Sequence, residues 1–166
     1  MQHTLNNGIF LLLGTNLNNR QENLAKAKDL LIKKTGEILN QSSIYLTKAW
    51  GNTHQPDFLN QVIQIKTSLT PDKLLEAILT IELEIGRVRI EKWGPRIIDI
   101  DILFYNDLRI ESPALTIPHP ALHERRFTLV PLAEIAPAFV HPVFKKNIVE
   151  LLESCEDEQP VEMFRG

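Results

Sequence analysis

Five apolar residues in a row, Ile9-Phe-Leu-Leu-Leu13, close on Gly14 with no polar residue among them. A half-exposed strand or an amphipathic helix would interrupt such a run, so the pattern is that of a central β-strand covered on both faces. The run is too short to span a membrane, and it lacks the basic leader and small-residue cleavage site of an export signal. A cytoplasmic chain with no membrane partner is expected. The single cysteine, Cys155, has no intrachain disulfide partner and fits the same reducing compartment. A strand of this kind needs two covering layers, and 166 residues supply them as one domain, expected over 1–166 and as a monomer.

The periodicities downstream set out those layers. From Asn19 to Lys34 the apolar positions Leu24, Ala27, Leu30 and Leu31 recur at three and four residues behind a capping-box-like Asn19 and Glu22. This predicts an amphipathic helix ending at Gly36. Residues 38–47 alternate with period two and predict one long, partly exposed strand; residues 48–57, with Gly51, Asn52 and Pro56, read as a loop before a third strand from Phe58 to Ser68. Thr70-Pro71 is an N-cap followed by proline at the first helical position, and Leu74, Leu75, Ile78, Ile81 and Ile85 line one face before Gly86 ends the helix. After a charged loop, Ile98, Ile100, Ile102 and Phe104 alternate with Asp99, Asp101 and Leu103 in a fourth strand, and Asn106-Asp107 reads as a hairpin turn. The later prolines leave room for a short helix before Pro137 and another from Asn147 to Ser154, with an acidic tail after Cys155 expected to be loose. Strand, helix, strand, strand, helix, strand is the order of a split βαβ unit. The expected class is α+β, a ferredoxin-like sandwich with an antiparallel-rich sheet and its helices packed on one face.

Asp99 and Asp101 share one face of the fourth strand, about 6.6 Å apart along it at roughly 3.3 Å per residue. A solvated strand face would explain one aspartate, but Asp is depleted in strands and two would repel unless a cation lay between them. Magnesium suits such carboxylates, keeping waters and phosphate oxygens as its other ligands. Just upstream, Arg87, Arg89, Lys92 and Arg96 face only Glu91, a local positive excess in a chain whose net charge is −3. Next to the Asp pair, that excess points to a polyphosphate held between arginines and magnesium. No Gly-x-x-x-x-Gly-Lys-Ser/Thr, kinase signature set or His-Glu-x-x-His pattern is present, so a P-loop nucleotidase, a protein kinase and a zinc hydrolase are disfavoured. His119 stands between Pro118 and Pro120 with Arg125 six residues on, an expected phosphate contact in a stiff segment. Phe58 and Asn60 share a strand face, an aromatic platform beside a donor–acceptor amide that suits a flat heterocycle, and Trp50 and Trp93 sit in the polar loops. The acidic net charge and the missing RNP pattern disfavour a nucleic-acid-binding module on the same fold. A magnesium-dependent phosphohydrolase built on the same Asp pair stays open.

Lys92-Trp-Gly-Pro-Arg-Ile-Ile-Asp-Ile-Asp-Ile-Leu103 resembles the signature of the 6-hydroxymethyl-7,8-dihydropterin pyrophosphokinase family. Leu13-Gly-Thr-Asn16, Gln55-Pro-Asp-Phe-Leu-Asn60, Gly86-Arg-Val-Arg89 and Pro118-His-Pro120 with Arg125 and Phe127 follow the family's order, over roughly Ile9 to Pro142. The resemblance implies transfer of pyrophosphate from ATP to a pterin alcohol in folate biosynthesis, with ATP as co-substrate and Asp99 and Asp101 holding two magnesium ions. It implies catalytic roles for Arg87, Arg89, Arg96, Asp99 and Asp101. Glu82, Arg87, Arg96, Ile102, His119 and Arg125 would bind ATP; Thr47, Trp50, Phe58, Asn60, Trp93 and Phe127 would bind the pterin. The family tends to place proline where Ala49 stands, and tyrosine is frequent at the position of Phe58.

Overall fold

A computed structural model describes residues 7–48, 54–86 and 97–166. The elements run β1 (Ile9–Thr15), α1 (Arg20–Lys34), β2 (Gly36–Gln41), β3 (Tyr45–Thr47), β4 (Phe58–Thr67), α2 (Pro71–Ile85), β5 (Asp99–Tyr105), β6 (Ile110–Glu111), β7 (Thr116–Ile117), α3 (Arg126–Ile135), α4 (Ile148–Glu153) and β8 (Glu162–Met163). One sheet has the order β5-β1-β4-β3-β8, with β2 also on β4, and its pairings are antiparallel. That is the split βαβ arrangement, with β1 in the middle and the second strand position shared by β2 and β3.

The helix ends follow local chemistry. The Asn19 side chain accepts from the Glu22 N–H at the start of α1. Thr70 does the same for Lys73 at the start of α2, and Gly86 closes that helix at φ 103°, a left-handed value that costs glycine nothing.

Alternate residues of β1 enter two separate cores. Leu11 and Leu13 pack with Ile63, Ile65, Ile100 and Ile102 beneath Leu24, Leu31, Leu74, Ile78 and Ile81 of α1 and α2. Phe10 and Leu12 pack with Val62, Leu103 and Phe104 beneath Leu129, Leu132, Ile148 and Leu151 of α3 and α4. The expectation of helices on one face is therefore corrected: α3 and α4 form a second layer, as the doubly apolar β1 requires. Burying each such leucine stabilises the fold by about 1.5–3 kcal/mol.

Four further expectations are revised. The long strand over 38–47 is broken at Ser42, whose hydroxyl accepts from the Val62 N–H at 3.0 Å while the Gln61 amide donates to the Ser42 carbonyl at 2.7 Å. Side chains there occupy ladder positions, and the register also shifts between Ile38 and Asn40. A second shift, between Phe10 and Leu11, puts Leu103 and Phe104 together in the second core, so Phe104 does not continue the isoleucine face. Asn106-Asp107 does form a turn, closed by the Leu108 N–H on the Tyr105 carbonyl, but β6 then pairs with β7 rather than back onto β5. The tail after Cys155, expected to be loose, instead adds β8 to the sheet edge and buries part of Phe164 against the first core.

Candidate active site

The site forms where β1 runs out at Gly14. Directly opposite Gly14 stand Asp99 on β5 and Asn60 on β4, so the three share one face, the face that α3 covers. At about 4.8 Å between neighbouring strands, the backbones of Asp99 and Asn60 lie roughly 10 Å apart across β1, and on this face only the Gly14 hydrogen stands between their side chains. A Cβ on Gly14 would meet Asn60 Oδ1 at 3.0 Å and Phe58 Cδ1 at 3.8 Å. Glycine therefore makes the floor. One row inward, Asp101, Leu12 and Val62 stand in register, the last two sealing the floor against the second core.

Asp99 and Asp101 are half-buried on this face, as their spacing predicts, while Ile100 and Ile102 point into the first core. On the other side of Gly14, Asn60 is buried and its Nδ2 donates to Thr47 Oγ1 at 2.8 Å. Phe58 is half-buried and pairs with Thr47 across the strands. An oriented amide, a hydroxyl and an aromatic face thus lie across the glycine gap from two carboxylates.

The segment after β7 brings His119 to the carboxylate side. Its N–H donates to the Leu103 carbonyl at 3.0 Å, and its Nδ1 accepts from the Ala121 N–H at 3.1 Å. Burial, reinforced by the Arg125 guanidinium and opposed by Asp99, holds the imidazole down to about 4. His119 is therefore neutral near pH 7, with Nδ1 bare and the hydrogen on Nε2. Arg125 stands at the N-cap of α3, and its guanidinium lies 5.6 Å from the centre of the Phe127 ring, which packs on the edge of the second core.

Two residues expected at ATP have buried side chains. Glu82 is buried in α2, where its carboxylate accepts from the Ile100 N–H at 2.8 Å and so fixes β5 from the opposite face. Ile102 has its side chain in the first core, which leaves its main chain as the part able to meet a ligand. Trp50, Arg87, Arg89, Trp93 and Arg96 lie outside the described residues.

Sequence reasoning missed the side chains that hold the segments entering the site. Asn23, buried in α1, donates through Nδ2 to the carbonyls of Leu17 at 2.8 Å and Ile97 at 3.1 Å. The Thr15 hydroxyl donates to the same Ile97 carbonyl, two residues before Asp99. Asn16 donates to Gln55 Oε1 and the Pro56 carbonyl, and Arg20 to the Asp57 carbonyl, just before Phe58. The available signal was a polar residue inside the apolar stripe of α1, at Asn23.

The sequence model of 7,8-dihydro-6-hydroxymethylpterin-pyrophosphokinase (HPPK) matches residues 10–137. The 2-amino-4-hydroxy-6-hydroxymethyldihydropteridine pyrophosphokinase of Synechocystis sp. is 43% identical over 150 residues, covering 90% of this chain and 76% of its own. The enzyme of the same name from Aquifex aeolicus is 44% identical over 142 residues, 86% of this chain and 88% of its own. That of Haemophilus influenzae is 40% identical over 155 residues, 93% and 96%. Among solved structures, an HPPK-DHPS in complex with substrates superposes with a TM-score of 0.73 at 17% identity, over 91% of this chain and 43% of that one. Plasmodium falciparum HPPK-DHPS with pteroate gives 0.71 at 20%, over 89% and 42%. The chain spans less than half the length of these two-part proteins, and at such identities the likeness is one of fold.

Proposed function

The chain belongs to the HPPK family, and from that premise we infer how its own residues serve the reaction. The enzyme transfers pyrophosphate from ATP to 6-hydroxymethyl-7,8-dihydropterin, giving AMP and the pterin diphosphate, in folate biosynthesis. The observation that carries the assignment of roles is the glycine gap, with a carboxylate pair and a neutral imidazole on one side and an amide, a hydroxyl and an aromatic face on the other.

The pterin takes the Asn60 side. Its flat ring lies between Phe58 and Phe127, and its polar edge meets Asn60 and Thr47, already oriented on each other. The triphosphate takes the other side, where His119 donates its Nε2 hydrogen to a phosphate oxygen and Arg125 supplies charge-assisted hydrogen bonds. Asp99 and Asp101 would hold two magnesium ions. Two carboxylates at alternate positions suit a hard cation that draws its remaining ligands from water and phosphate, and among the described residues no cluster of three acidic, imidazole or thiol groups competes with them. When bound, the metal neutralises charge on the phosphate oxygens. Arg87, Arg89, Arg96, Trp50 and Trp93 are assigned by the family pattern to phosphate and pterin, and Glu82 and the Ile102 main chain to the nucleoside end.

In the reaction the pterin hydroxymethyl oxygen attacks the β-phosphorus and its proton passes to water, the bond from that phosphorus to the oxygen bridging the α-phosphate breaks, and AMP leaves. The protein's part is to hold the alcohol in line and to meet the developing charge with preoriented donors. Residues 1–166 act as one domain, as a monomer in the cytoplasm; among the described residues no helix is long and apolar enough to cross a membrane.

The test is AMP release from magnesium-ATP with and without hydroxymethyldihydropterin. Release that requires the pterin, with the diphosphate as co-product, is the expected result. Nucleotide hydrolysis at the same rate without acceptor would instead favour a phosphohydrolase using the same carboxylates.

A further inference from the structure

The pterin reading places the ring between Phe127 of α3 and Phe58 of β4, whose partner across the sheet is Thr47 of β3; besides the bond from the Tyr45 hydroxyl to Glu134, α3 and β3 are joined by the chain's last residues. Residues 157–164 bond to both. At one end, Asp157 Oδ2 accepts from the Arg126 N–H at 3.0 Å, in the first turn of α3 and next to Phe127. Asp157 Oδ1 accepts from the Gln159 N–H at 2.9 Å, so both carboxylate oxygens are engaged. At the other end, Gln159 Nε2 donates to the Lys48 carbonyl at 3.3 Å, immediately after Thr47. β8 then pairs with β3, Met163 opposite Tyr45 and Glu162 opposite Leu46, and the Phe164 N–H donates to the Ile44 carbonyl at 2.8 Å.

The need for this contact is written in α3 itself. Its N-cap is Arg125, whose side chain makes no capping bond; Arg126 follows, and the first turn holds no acidic residue. Two cations at the positive end of a helix dipole are unfavourable, and an N-cap arginine has no acceptor for the free N–H groups. Asp157 supplies both the acceptor and the negative charge from 31 residues away. Arginine at 125 is thereby compatible with a stable helix start.

We propose that residues 157–164 are a strap that sets the spacing of the two pterin walls, with Asp157 and Gln159 as positioning residues for the acceptor substrate. The proposal rests on the assignment of the Asn60 side to the pterin. A tail that merely finished the sheet would affect stability and leave substrate selectivity unchanged. The strap instead acts on the substrate that touches both walls more than on ATP, which shares only Arg125 with the strapped end of α3 and has His119 and the carboxylate side besides.

The test is calorimetric titration of hydroxymethyldihydropterin, and separately of a non-hydrolysable magnesium-ATP analogue, into the wild type and four variants. Gln159→Ala and Asp157→Ala are expected to weaken pterin binding by about fivefold or more, with the nucleotide affected about twofold or less, the effect of one lost cap or tie. Asp157→Asn, which keeps an acceptor, should recover most of the loss. Asn60→Ala reports on the pocket itself. Weakened binding in Asn60→Ala with normal binding in Gln159→Ala and Asp157→Ala overturns the strap and leaves the pocket standing. Normal binding in all of them overturns the pocket assignment, and the strap with it. Equal weakening of pterin and nucleotide makes the tail a general stabiliser and also overturns the strap. The Gln159 bond to Lys48 is exposed, so its variant decides the matter even if Asp157→Ala fails to fold.

Discussion

At Nδ1 of His119 the hydrogen bond from the Ala121 N–H determines which ring nitrogen carries the hydrogen, and burial determines that there is only one. Because burial holds the imidazole to about 4, the donation to phosphate proposed for it should be the same at pH 6 and pH 8. The ratio of kcat/KM between wild type and His119→Ala is thus expected to stay constant across that range; a ratio that changes about tenfold would show a titrating histidine. A different outcome is expected at the carboxylates. Asp99→Asn and Asp101→Asn keep the shape and lose the charge that a hard cation requires, so each should retain the wild-type circular dichroism and lose about a hundredfold or more in turnover at ordinary magnesium. These residues were legible because a strand face shows itself in alternation, and aspartates stand out against isoleucines. Arg125 was legible as a charge; that its helix start depends on Asp157 was not, because the partner is distant in sequence.

Among the elements, α2 could be read almost to the residue, since Thr70, Pro71 and Gly86 act on their own backbone within a turn. The break between β2 and β3 could not, because Ser42 exchanges bonds with Val62 on another strand, and Glu134 of α3 accepts from the Ser43 N–H and from the Tyr45 hydroxyl at 2.7 Å across 89 residues. Burial, with Glu134 beside it, pushes the Tyr45 phenol up to about 12. The same limit hid the role of α1 in the site. Its Asn23 is a polar residue in a buried stripe, holding the carbonyl from which the chain turns into Asp99. Asn23→Leu keeps the branched shape at a larger volume and leaves partly buried carbonyls short of a donor, so urea unfolding should show a loss of about 1–3 kcal/mol. A change within a few tenths of a kcal/mol would mean that Thr15 alone is sufficient.

For the molecule as a whole, the second layer contributes a pH dependence. His141 is buried, its Nδ1 accepts from the N–H groups of Val143 and Phe144, and burial with His123 and Arg109 nearby holds it to about 4. His119 is held as low. In the unfolded chain both ionise near 6.5, so between that value and 4 the unfolded state binds protons that the folded state does not. Stability should fall as the pH drops through this window. The urea midpoint is expected to be lower at pH 5 than at pH 7, with a smaller difference in His141→Gln; an equal difference in that variant would remove His141 from the account. The outer margin of β5 has a further consequence. A strand at the end of a sheet ordinarily presents unpaired donors and acceptors on which another chain can add itself. Here the Ile100 N–H is taken by Glu82 and the Leu103 carbonyl by the His119 N–H. The bonds that hold β5 in place are therefore also the ones that deny it to a neighbour, and they make this end of the sheet a poor seed for intermolecular β-assembly.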